Sequence, residues 1–76
     1  ALLQQLKNQA EEANVMQRGL VAHLDQIADG LQGLSARGFN PGRMGSAISL
    51  ANEAKGKASE NASRVLSLMQ GIGEMI

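Results

Sequence analysis

Apolar side chains recur along the first half of the chain by alternating threes and fours. Leu3, Leu6, Ala10, Ala13, Gln17, Leu20, Leu24, Ile27, Leu31 and Leu34 follow this spacing, and only Gln17 among them is polar. Residues three and four apart share one helical face, so the pattern predicts a long helix over about residues 2–35 with one narrow apolar seam. At 1.5 Å per residue such a helix is roughly 50 Å long. A single polar group in such a seam can fix register, though it more often only weakens packing locally, and Gln17 is open to either reading. The second half has the same spacing in two parts. Ala47, Ala51, Ala54, Ala58 and Ala62 permit close helix approach but bury little area, and Val65, Met69, Ile72 and Ile76 continue the stripe with large groups. A second helix over about 47–75 follows. Period-two alternation is missing and β-branched and aromatic residues are scarce, so no strand is expected.

The break between the two patterns is predicted as a loop over 36–46, with Gly38, Phe39, Asn40, Pro41 and Gly42 forming the turn. Gly38 suits the left-handed position just past a helix end. Asn40 before Pro41 suits an N-cap followed by a first-turn proline, and Ser46 is a second N-cap candidate. So short a link makes the helices antiparallel neighbours. Residues 1–76 are therefore expected to form a single all-α domain, a two-helix antiparallel hairpin (helix–loop–helix). Phe39, the only aromatic residue, is expected to plug the hairpin end against Leu34 or Met44; the rival role is an interface anchor.

The C-terminal segment carries more apolar surface than one partner helix covers. Val65, Leu66, Leu68, Met69, Ile72, Met75 and Ile76 spread over several faces, and they are the predicted contacts between copies. Chain length supports this reading. A 76-residue core rarely contributes more than about 3–5 kcal/mol, and small domains add disulfides, metals or oligomerisation. Cysteine is absent and the one histidine has no ligand cluster, so oligomerisation remains, and the hairpin is expected to pack into a helical oligomer. Met69→Asp or Ile72→Asp is expected to leave soluble, poorly assembled protein, because either buries a charge at the contact. Lys55, Ser59, Asn61, Ser63, Ser67 and Gln70 would be available to line a polar lumen. Gly19, Gly30, Gly33, Gly56, Gly71 and Gly73 fall inside the predicted helices at a cost of about 1 kcal/mol each relative to alanine. They are either a tolerated loss or sites of close backbone contact between copies.

Seven basic and seven acidic residues cancel. Residues 1–34 carry a net −2, residues 35–46 a net +2 from Arg37 and Arg43, and residues 47–76 balance. Neutrality argues against a polyanion or nucleic-acid binder, and it removes the self-repulsion that would hold copies apart. Neither Asp25 nor Asp29 is three or four residues from His23, and no nucleophile–base–orienter set can be assembled, so no enzymatic activity, metal or cofactor is expected. No Gly-rich stretch ends in a phosphate-loop signature. No apolar run reaches the ~18 residues of a membrane span, and segment 62–76 has Arg64 as its only basic residue, which disfavours an interfacial helix. The sequence starts at Ala1 without methionine, so a leader or tail outside the sequence given stays open.

With the hairpin and the C-terminal segment in view, the chain resembles a type III secretion needle subunit. Arg64-Val65-Leu66-Ser67-Leu68-Met69-Gln70-Gly71-Ile72, ending with Ile76, is similar to that family's C-terminal stretch. Leu6-Lys7-Asn8-Gln9-Ala10-Glu11-Glu12-Ala13-Asn14 resembles the start of some members, and Asn40-Pro41 stands where the family turn has Asn-Pro. The first helix is longer than in the family, the middle of the second carries alanines in place of glutamine and aromatic residues, and Glu74 stands near the position of a family lysine. The resemblance implies a secreted, cell-surface protein of a bacterial export apparatus. It also implies self-assembly into a hollow helical filament that serves as a conduit for exported proteins, with itself and the apparatus's base and tip proteins as partners. Two alternatives are the early-secreted-antigen (ESAT-like) class of exported hairpin dimers, whose Trp-x-Gly turn is missing here, and a cytoplasmic four-helix-bundle adaptor.

Overall fold

A computed structural model describes residues 1–76 as two helices and a four-residue turn. α1 spans Leu2–Ala36 and α2 spans Pro41–Met75, each 35 residues, antiparallel and in contact along their length. There is no strand, as the periodicity predicts. The rod measures 56 × 13 × 12 Å. Its radius of gyration of 17.1 Å exceeds the about 11 Å of a globular domain of this length.

α1 ends in a Schellman arrangement. The Phe39 N–H donates to the Leu34 carbonyl (3.1 Å), and the Gly38 N–H donates to that of Ser35 (2.9 Å). Gly38 takes φ +79°, the left-handed conformation expected for it. α2 begins six residues earlier than the predicted 47, which shrinks the loop from 36–46 to 37–40. Pro41 causes this: its fixed φ suits the first helical position, and its missing N–H is one of the donors a helix start leaves free. Asn40 holds the N-cap place at φ 41°, with its carbonyl accepting from the amides of Arg43 and Met44 while its side chain makes no cap bond. Phe39 does not plug the hairpin end. It remains 59% exposed, while Met44 is buried.

The hairpin seam is not the predicted one. On α1 the half-buried or buried positions are Lys7, Ala10, Ala13, Asn14, Gln17, Val21, Leu24, Ala28 and Leu31, with Ala13 the one member of the expected second column that stays partly covered. They share the column of Ala10, Gln17, Leu24 and Leu31 with the expected seam. The second column is Lys7, Asn14, Val21 and Ala28 in place of Leu6, Leu20, Ile27 and Leu34. The α2 seam follows the expected stripe more closely, with Met44, Ala51, Ala58, Ala62 and Ile72 buried and Ala54 left exposed. Asn14 explains the rotation. Its amide donates to the Ala62 carbonyl across the seam (2.7 Å), and its oxygen accepts from Arg18 Nε (3.1 Å). A buried amide must be satisfied, and this position satisfies it. Asn14, rather than Gln17, is the buried polar residue of the seam.

Candidate functional site

Eight residues are buried, five of them alanine, and no side chain is fully enclosed. The chain exposes 5432 Å² at a mass of 8.0 kDa. A compact monomer of that mass exposes about 4,450 Å², and the excess of about 1,000 Å² matches the roughly 800 Å² that one partner contributes to a standard interface. The candidate site is where this surplus lies.

The seam divides the rod into two unlike flanks. On one, Arg18, Ala22 and Asp25 of α1 border an open groove with Lys55, Ser59 and Ser63 of α2. Lys55 Nζ contacts Asp25 Oδ1 at 2.8 Å. The hydrogen bond to this carboxylate, then its charge and the weaker field of Asp29, raise the Lys55 ammonium above its ordinary 10.5 against a small opposing effect of burial. Both side chains of the pair are partly exposed, so salt screens it. Of the groove's charged groups, Lys55 pairs with Asp25 while Arg18 donates to the neutral Asn14 oxygen, and His23 stands exposed on the outer surface of α1.

The other flank is apolar. Because the seam rotated, Leu3, Leu6, Leu20, Ile27 and Leu34 are left between 37 and 44% exposed along α1. Positions seven apart return to the same side of a helix, so Leu6, Ala13, Leu20, Ile27 and Leu34 form one column beside the seam. On the same side α2 presents Ala47, Ala54, Asn61, Leu68 and Met75. Neither column holds a charge. The antiparallel level is set by Asn14 at Ala62, Asp25 at Lys55, and Lys7, whose Cε lies 3.5 Å from where a Gly73 Cβ would be.

The predicted copy contacts divide in two. Leu68, Met75 and Ile76 are 56–64% exposed and free to meet another molecule. Ile72 is buried within the hairpin, and Val65, Leu66 and Met69 are half-buried along it. Ile72 therefore belongs to the monomer core, and Met69→Asp or Ile72→Asp would damage the hairpin before any assembly contact. The six polar residues named for a lumen do not share one surface. Lys55, Ser59 and Ser63 border the polar groove, Ser67 and Gln70 are exposed beyond it, and Asn61 lies on the apolar flank. The half-exposed leucine column is the feature sequence reasoning missed. Its signal was present in Asn14, whose place next to Ala13 and three residues before Gln17 competes with the leucines for the seam.

The helical glycines have no role inside the hairpin. A Cβ at Gly19, Gly30, Gly33, Gly56 or Gly71 would meet nothing within 4 Å. Glu74, in the last turn of α2, has no ion-pair partner.

No protein family, curated protein or solved structure matches this chain.

Proposed function

We propose that this chain is a structural subunit that assembles with copies of itself into a helical filament, and that the filament is the hollow conduit of a bacterial protein-export apparatus. The observation that carries self-assembly is the unlike pair of apolar ends. Phe39 projects at the turn, and Leu2, Met75 and Ile76 are exposed at the opposite end, each 59–67% open to water. Contacts between two different surfaces of one molecule repeat head to tail and extend without closing, which is the requirement for a filament. The surplus area and zero net charge favour association. The export role rests on the resemblance of the Arg64–Ile72 segment to needle subunits.

Its contact set is Leu68, Met75 and Ile76 at one end and Phe39 at the other. Negative-stain electron microscopy of the purified chain across a concentration series tests it. Uniform tubes that lengthen with concentration are the expected result, and loss of tubes in Phe39→Ser or Ile76→Asp would tie them to these ends. Discrete particles that do not change with concentration would overturn the filament.

A further inference from the structure

We infer that the apolar flank is a self-complementary surface on which two copies of the chain pair antiparallel, about a twofold axis that crosses the rod at the level of Leu20 and Asn61. This goes beyond the filament: the pair stands whether or not tubes form.

The chain as a whole exposes about 1,000 Å² more than a compact monomer of its mass, on the order of one partner's share of a standard interface, and the exposed leucines of the flank are part of it. The partner is a second copy because the pattern on the flank complements itself. Leu20 is the middle position of the α1 column and Asn61 the middle of the α2 column. They stand at one level, given the pairing of Asp25 with Lys55. A twofold axis through that level, with the flanks face to face, sets α1 on its copy and α2 on its copy, running oppositely. Ala13 then faces Ile27 of the other copy, Ala54 faces Leu68, and Ala47 faces Met75. Every alanine of the flank receives a large side chain, the knob-and-hollow alternation that close packing requires.

Asn61 selects this arrangement over the parallel one. It is the only polar side chain in the two columns. A parallel pair would bury its amide on Leu20 of the other copy, with no partner for it. The antiparallel pair sets Asn61 against Asn61, and an amide is donor and acceptor at once. A buried unpaired amide gives up its hydrogen bonds to water with nothing in return, and both copies would bear that loss in the parallel form. Leu68 and Met75 serve both this flank and the filament end, so pairing withholds them from growth. The pair is thus a resting form of the subunit.

The chain has no cysteine, so single-cysteine variants report proximity cleanly. Asn61→Cys and Ser67→Cys, the latter on the outer surface, would be oxidised mildly in the soluble fraction after any polymer is pelleted. Disulfide-linked dimer is expected to form about tenfold or more faster at position 61, where pairing supplies a high effective concentration. Sedimentation of the same fraction should show two chains, with Leu20→Asp raising the dissociation constant about a hundredfold while helicity is retained, because it places a charge at the interface centre. Equal cross-linking at 61 and 67, or a sedimentation profile that Leu20→Asp leaves unchanged, would overturn the pair. Tubes, or their absence, bear only on the filament.

Discussion

Asn14 is the side chain on which the molecule turns. Its amide spans the seam to the Ala62 carbonyl, and Arg18 holds its oxygen. Asn14→Ala removes a buried hydrogen bond and leaves a small void, and it should destabilise the hairpin by about 1–2 kcal/mol. Gln17→Ala, half-buried and without a cross-seam bond, should cost clearly less; the shift of the urea midpoint in each variant checks this. Asn14→Leu would test register, since an apolar residue there removes the reason for the leucine column to stand outside the seam. Lys55 offers a second check. Its pKa is raised by Asp25, so the stability it supplies is full below its unfolded value of 10.5 and is lost as pH rises through the higher folded value. The difference in urea midpoint between wild type and Lys55→Gln should hold through neutral pH and close only in strong alkali.

Each helix carries interior glycines that work against its propensity. Gly19, Gly33 and Gly56 sit in helix interiors with nothing within 4 Å of a would-be Cβ, so Gly→Ala at any of them should stabilise the isolated hairpin by about 0.5–1 kcal/mol. Gly38 is the opposite case: at φ +79° an alanine is strained, and Gly38→Ala should destabilise by about 1 kcal/mol or more. Thermal unfolding followed by circular dichroism separates the two groups. If an interior alanine stabilises the hairpin yet abolishes assembly, the glycine serves contact between copies. The element-level outline was legible in the chain. Threes-and-fours spacing marked both helices, and Gly38 with Asn40-Pro41 marked the turn. The start of α2 was less legible, because Gly42, Gly45 and Ser46 resemble loop residues until Pro41 commits the backbone. The seam was misread by one column, because counting apolar positions favours Leu6, Leu20, Ile27 and Leu34. The hairpin instead satisfies Asn14 and brings α1 close to the alanines of α2.

The whole molecule is a rod with more surface than it has use for alone. Charge placed on the exposed apolar groups should therefore separate folding from assembly. Leu68→Asp should keep the hairpin's helicity and unfolding temperature while abolishing assembly. Ile72→Asp should lower the unfolding temperature directly, because that side chain is only 9% exposed within one chain. Assembly through uncharged columns should also change little between about 0.05 and 0.5 M salt, whereas the Lys55–Asp25 pair should weaken over the same range. Light scattering across a salt series measures the first, and urea unfolding the second.

The linear order of residues was enough to establish two long helices, a tight turn, and an apolar content in excess of what two helices enclose, because periodicity and turn chemistry act over neighbouring residues. Which column of α1 enters the seam, which leucines remain outside it, and which of the C-terminal groups are spent inside the hairpin were settled by packing. Those outcomes depend on contacts between residues some 48 positions apart, such as Asn14 with Ala62, and no local spacing encodes them. The surface available to a second copy is what that packing leaves uncovered.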